Sequence, residues 1–408
     1  MNKFVKVAVA SAVAMVLAST MSFADDAKPQ NSIAAGKDLQ AALKDMQAKK
    51  WDEMLADLDK VRNNPKKNEY DEHIMYELYA TAYVNKKQLQ EATGPVEHII
   101  GSKFTPPEEV KKRVVQAASM FEELKNYDKA IEYGNRAIKD GYGTSAVQVI
   151  VAQSYYLKND FKDTAHFVRG LVDDQIKAGQ MPSDEMLQMG LSSALKLNDE
   201  AAQSHWLELL VAYHPKPEYW QNLFAPMFNA KLTDAQLLQV YRLAADVGAL
   251  KRGSDYAEMA QLALAAGSPG EAVSVLSKGF ASNAFTEKAD QNRNQHLLDS
   301  AKKQMATDQP TLAKTEADAA AAPTGEKLVG VGVGYFGYGD YAKASKDIAA
   351  GLAKGSTKDP QDARLLLGIA QLKAGSKEEA VRTFRQVKGD PALERLATLW
   401  LIHARGAA

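Results

Sequence analysis

Ala118-Ser-Met-Phe121, Lys125-Asn-Tyr-Asp-Lys-Ala130-Ile-Glu-Tyr133 and Ala137-Ile138 make one unit of this chain. Ala152-Gln-Ser-Tyr155-Tyr-Leu-Lys-Asn-Asp-Phe161, Thr164-Ala165-His-Phe167-Val168 and Leu171 make the next. The two superimpose with a small residue, an aromatic, a polar turn, an aromatic and a second small residue at one spacing. From Ala130 to Thr164 the period is 34 residues. Apolar residues within each half recur at helical intervals, and the polar turns at Lys125-Asn126 and Asn159-Asp160 interrupt them. Each unit therefore reads as a helix, a tight turn and a second helix. Neither helix can bury its apolar stripe alone, so units must stack.

Two similar units lie toward the C-terminus. One carries Gly332, Tyr335, Gly339-Asp-Tyr341, Ala344 and Ile348; the other carries Gly368, Gly375, Ala380, Phe384 and Val387. The small residue of the second helix serves as a marker: Met54, Ala92, Ala130, Thr164, Ala202, Gln236, Ala272, Ala344 and Ala380. Successive markers are 38, 38, 34, 38, 34, 36, 72 and 36 residues apart. The interval of 72 spans two periods, so a degenerate pair, read as two long helices, is expected at about 286–322. Asp390-Pro391 caps and opens a final amphipathic helix with Leu393, Leu396, Ala397, Trp400 and Leu401 on one face. With no partner helix after it, this element is expected to cap the array. The predicted fold is an all-α solenoid of about ten helix pairs with a C-terminal capping helix, clearest over 111–178 and 325–390.

The N-terminus reads as an export signal. Lys3 and Lys6 precede an apolar run from Val7 to Leu17, and Ser22-Phe23-Ala24 supplies the small residues of a cleavage site. The run is too short to span a bilayer. The expected arrangement is a cleaved signal over 1–24 and a mature chain over 25–408, exported to the periplasm. With no cysteine in the sequence, neither disulfides nor acylation at the cleavage site are available, and packing alone must stabilise the fold. Removing two lysines with the signal moves the formal charge from −1 to −3. That balance excludes the basic footprint of a nucleic-acid binder or a polybasic membrane face.

These residues resemble the tetratricopeptide repeat, which has small residues at positions eight and twenty and aromatics at eleven, seventeen and twenty-four. Gly134 in place of an aromatic, and Met54 and Gln236 in place of alanine, depart from it. The resemblance implies a protein-interaction scaffold whose first helices line a concave groove for a protein or peptide. Positions two, five, nine and twelve face that groove in the family, which here selects Glu77, Thr81, Lys112, Glu122, Gln153, Tyr156, Gln221 and Phe228. The stretches Tyr213-His-Pro-Lys-Pro-Glu-Tyr-Trp220, Tyr256–Leu264 and Val387–Pro391 are further similar to exported proteobacterial repeat proteins. Some of those are encoded beside TonB, ExbB and ExbD-type energy-transducing systems.

Catalytic signals are weak. Gly332-Val-Gly334-Tyr-Phe-Gly337 satisfies G-x-G-x-x-G, but a dinucleotide site needs a strand before it and a helix opening at the phosphates. Here the glycines fall in repeat register. The seven histidines are scattered, and none has metal-ligand spacing. No nucleophile elbow or Walker loop occurs. The expectation is a non-enzyme without cofactor or metal. The Tyr213–Trp220 segment reads first as a structural elbow, with two prolines ending one helix and aromatics starting the next. Its alternative is a pocket near Trp220, which would make the chain a small-ligand or cell-wall-associated module.

Overall fold

The computed structural model describes residues 29–406 as twenty-one α-helices and one 3-10 turn, with no strand among the described residues. The expected signal segment and its cleavage site lie outside the described residues. None of the described helices is long and apolar enough to cross a membrane. The chain forms two compact units, dividing between Lys158 and Asn159.

Unit 1 holds α1 (Ile33–Gln47), α2 (Trp51–Asn63), α3 (Glu69–Asn85), α4 (Leu89–Gly101), α5 (Pro107–Glu123), α6 (Tyr127–Lys139) and α7 (Ser145–Leu157). Unit 2 begins with α8 (Phe161–Lys177), α9 (Asp184–Lys196), α10 (Glu200–Tyr213), α11 (Pro217–Phe228), α12 (Asp234–Asp246), α13 (Gly253–Ala265) and α14 (Pro269–Ala281). It continues with α15 (Lys288–Asp308), the 3-10 turn Gln309–Thr311, α16 (Leu312–Ala321), α17 (Glu326–Gly337), α18 (Tyr341–Lys354), α19 (Pro360–Lys373), α20 (Lys377–Phe384) and α21 (Pro391–Gly406).

The turn chemistry explains where the helices change. In α6, α8 and α18 the preceding Asn126, Asp160 or Asp340 accepts a hydrogen bond from the backbone N–H three residues on, satisfying one orphan donor of the new helix. One residue earlier the chain passes through the left-handed region, at Lys125 (φ 58), Asn159 (φ 65) and Gly339 (φ 80). Between α5 and α6, and between α17 and α18, that single residue reverses the chain without lengthening the loop.

Seven of the nine marker positions are packing contacts, whereas Ala202 and Gln236 fall on the third residue of α10 and α12 and are only partly buried. Met54, Ala92, Ala130, Thr164, Ala272, Ala344 and Ala380 are each the fourth residue of a second helix and are fully buried. Their first-helix counterparts are just as tight. A Cβ added at Gly332 would lie 2.5 Å from Ile348 Cγ1, and one at Gly368 would lie 2.5 Å from the Phe384 ring. Met54 is fully buried in a cluster with Leu39, Leu58 and Met75, each side chain contributing about 1.5–3 kcal/mol through its burial. Gly134 replaces an aromatic because α7 comes too close; a Cβ there would meet Val151 Cγ2 at 2.3 Å.

Two of the expected regularities change in unit 2. First, the segment of the degenerate pair forms no hairpin. It is a 21-residue helix, a 3-10 turn at Pro310 and a 10-residue helix. Of these, α15 packs on α14 and α13, whereas α16 packs on α17. Its sequence supplies too few apolar residues for a second pair: only Asn294, Leu298 and Ala301 of α15 are buried, and only Leu312 and Ala319 of α16. The regular stack resumes by direct approach of α14 to α17, where a Cβ on Gly270 would lie 2.6 Å from the Gly337 carbonyl oxygen.

Second, α21 does more than cap. It packs on α19 and α20 as a terminal helix should, and also on α10 and α12. Leu393, Leu396, Ala397, Leu399, Trp400 and Ala404 are buried. Arg395 pairs with Glu208 and donates 2.7 Å to Ser204 Oγ. His403 Nε2 lies 3.0 Å from Asp246 Oδ2. Unit 2 is a repeat array closed by its own last helix.

Candidate functional site

The eight groove candidates sit on first helices. Glu77 and Thr81 lie on α3, Lys112 and Glu122 on α5, Gln153 and Tyr156 on α7, and Gln221 and Phe228 on α11. None of them is buried. Residues beside them on the same helices, Leu78, Phe121 and Ala152, are core. Helix periodicity thus keeps the candidates out of the buried core.

In unit 1 an arginine that the sequence reading passed over organises this face. Arg113 Nη2 donates to Glu77 Oε2 at 2.7 Å and Nη1 to Gln116 Oε1 at 3.1 Å, while its Nε lies 3.2 Å from Glu109 Oε1. It thereby ties α3 to α5. Burial pushes the Glu77 carboxyl above its ordinary value, Arg113 opposes this, and Glu109 adds to the rise. Lys112 is exposed and reaches only Glu109, at 3.3 Å. Thr81 Oγ1 donates to the Glu77 carbonyl at 2.8 Å. Burial and the adjacent Glu123 also raise the Glu122 carboxyl. In unit 2, Gln221 Nε2 donates to the Ala249 carbonyl at 2.9 Å, and the Phe228 ring meets Tyr241 at 4.9 Å. Those two side chains help seat α11 on the elements after it.

The Tyr213–Trp220 elbow is a structural clamp with a cleft beside it. Pro217 opens α11. Tyr219 Oη donates to Asp184 Oδ1 at 2.9 Å and Lys216 Nζ to Asp184 Oδ2 at 2.8 Å. Burial raises the Asp184 carboxyl, but these two donors outweigh it and leave the acid below its ordinary value. Trp220 is 2% exposed and stacks on Phe224 at 5.9 Å. A cleft of about 250 Å³ is lined by Pro215, Lys216, Pro217, Trp220, Asp246, Val247 and His403. At its base Asp246 takes one donor from Lys373 and another from His403. Burial would raise this carboxyl, but His403 and Lys373 together hold it down at about 2.

The polar stripe of α12 was the larger omission. Gln236, Gln239, Arg242 and Asp246 fall on one helix face, and each reaches across to another element. Gln236 Nε2 donates to Asp390 at 2.7 Å and Gln239 Nε2 to Asp362 at 3.0 Å. Arg242 makes two 2.8 Å bonds to Glu271 and lies 5.1 Å from the Phe336 ring centre. The available signal was four polar residues at spacings of three and four in a helix whose other residues are mostly apolar.

The glycine motif lies entirely within α17. Gly332 faces Ile348 of α18, Gly334 faces Leu312 of α16, and Gly337 faces Ser268 beside α14. The three glycines let one helix approach three neighbours. Among the described residues, no three His, Cys, Asp or Glu side chains gather as a metal-holding group.

Helix pairs at intervals of 34–38 residues, with small residues buried where the two backbones meet, decide the architecture. That is the all-α, paired-helix architecture that the tetratricopeptide resemblance implied. No protein-family model and no curated protein matches the sequence. Among solved structures the chain is similar to yeast Tom70, with 10% identity and a TM-score of 0.25 over 91% of this chain and 96% of that one. It is similar to the Naa15/Naa10 structure bound to HypK-THB, with 12% identity and a TM-score of 0.34 over 92% and 62%. The TPR2AB domain of yeast Sti1 in a pHSP90 complex gives 13% and 0.25 over 74% and 98%. Such values carry no residue role from one chain to the other.

Proposed function

We propose that the protein is a non-catalytic scaffold that docks a protein or peptide on the first-helix face of its repeats. The observation that supports this is that Glu77, Thr81, Lys112, Glu122, Gln153 and Tyr156 are not buried, on helices that also carry the core residues Leu78, Phe121 and Ala152. Side chains outside the core can meet a partner at the surface, and a few of them tend to dominate such contacts. The signal-like N-terminus supports a periplasmic location for the mature chain. The similarity to exported repeat proteins encoded beside TonB-type systems supports a partner in an energy-transducing envelope complex.

Cross-linking in the periplasmic fraction followed by co-purification tests both halves of this reading. Changing Glu122, Gln153 and Tyr156 together to Ala should abolish capture of the partner while thermal unfolding moves little, since surface changes stay within about ±0.5 kcal/mol each. Unchanged capture would remove this face from the proposal. Recovery of a chain that still carries residues 1–24, and only with membranes, would remove the location.

A second reading, a small-ligand module, is favoured by the cleft beside Trp220. It ranks lower because about 250 Å³ falls below the roughly 300–1,000 Å³ of ordinary ligand pockets. In addition, both Asp246 oxygens already have donors.

A further inference from the structure

We propose that α21 is a closing strap whose docking turns unit 2 from an open row of repeats into one cooperative body that senses the C-terminus as far back as α10. In a stacked array each repeat touches only its neighbours, and stability is a sum of local terms. Unit 2 departs from that rule at named positions. Gln239 reaches Asp362 across 123 positions of sequence, Gln236 reaches Asp390 across 154, His403 reaches Asp246 across 157, and Arg395 reaches Glu208 across 187. Closing so long a loop costs entropy that nearest-neighbour stacking does not have to meet.

The strap is built to offset that cost. Its middle is apolar, with Leu396 and Trp400 fully buried and the Trp400 ring stacked on Phe384 at 6.1 Å. Its margins are polar clasps, one at each end. Asp390 holds the first turn by accepting from Ala392 N and Leu393 N through Oδ1, while Oδ2 accepts from Gln236. His403 holds the last turn on Asp246, the carboxylate that also takes Lys373 of α19. Three helices that no local repeat would bring together, α12, α19 and α21, therefore meet at one side chain. The strap also completes the cleft, because His403 lines it together with Pro215 and Pro217 and its ring meets Trp220 edge-on at 6.1 Å. Without α21 that wall is gone, so occupation of the cleft and docking of the strap are linked.

Hydrogen exchange of the full chain tests this, using variants read at helices that the changed residue does not touch. Arg395→Met keeps the aliphatic stem but removes the pair with Glu208 on α10. It should speed exchange in α12 and α19 by the same factor as in α21, roughly ten- to a hundredfold for loss of a charge-assisted pair. Gln236→Ala frees α12 from the strap and should speed exchange in α10 and α19 together. If acceleration stays in α10 and α21 for the first variant, and in α12 and α21 for the second, unit 2 is an ordinary array and the strap is only a cap. Both changes are at partly exposed polar side chains, so the variants are expected to fold and the comparison to be readable.

Discussion

Gln236 Nε2 donates to Asp390 Oδ2 at 2.7 Å, joining the first turn of α12 to the cap of α21. The same Gln236 closes a capping box with Thr233. Gln236 is the third residue of α12, one place before the register that the buried markers occupy in other second helices, and there it reaches a cap 154 positions away. From this contact the polar stripe of α12 runs to its end, its side chains engaging α14, α19 and α21.

The buried pair on that stripe should be the most sensitive. Arg242 and Glu271 side chains are 5% and 9% exposed and share two 2.8 Å bonds. Arg242→Met leaves the Glu271 carboxylate buried without its cation, and urea unfolding should show a loss of about 3–5 kcal/mol. Changing both residues to apolar ones of similar volume should restore much of that loss. A small effect of the single change would mean that Glu271 has found water or another donor.

The small positions of unit 1 should resist enlargement. Ala118 and Ala130 are both fully buried where α5 meets α6. Replacing either with Leu should overpack the pair and cost about 1–3 kcal/mol in chemical denaturation. A neutral outcome would show that α5 and α6 separate without loss and that the small-residue contact is not what holds them.

Turn residues offer a gain instead. Lys49, Lys87 and Lys125 occupy the left-handed region at φ 56, 59 and 58, where Gly267, Gly339 and Gly375 do so in unit 2. A residue with a Cβ is strained there and glycine is not. Lys87→Gly should raise the melting temperature, with a stability gain of up to about 1 kcal/mol after glycine's greater freedom in the unfolded chain is subtracted. A lower melting temperature would assign the Lys87 side chain a contact worth more than the strain.

Asp246 sets an acid limb. Its folded value of about 2 lies below the ordinary 3.8 of an aspartate, so its contribution is complete above about pH 4 and lost as pH falls through 2. The contribution amounts to about 2 kcal/mol. Asp246→Asn should weaken the protein at neutral pH and flatten its stability slope between pH 4 and 2 by about one proton. An unchanged slope would place the acid-sensitive group elsewhere.

Sequence alone determined the class, the period and the contacts within pairs. The markers from Met54 to Ala380 fall on second helices because backbone approach demands a small residue, or a well-fitted one, at a fixed place in each turn–helix step. That demand is local and is written into every unit. The glycines of Gly332–Gly337 were legible as packing residues for the same reason. The groove candidates were legible as positions outside the core, through helical period, although not as binding residues, since exposure says nothing of what a surface meets. What only the tertiary structure decided lies at longer range. No local pattern relates Arg395 to Glu208 or His403 to Asp246, because such pairs exist only once the array has turned enough to bring its last helix onto α10 and α12. The organising role of Arg113, the cleft beside Trp220 and the bent passage through Pro310 likewise follow from which neighbours arrive, a quantity summed over all the packing angles before them.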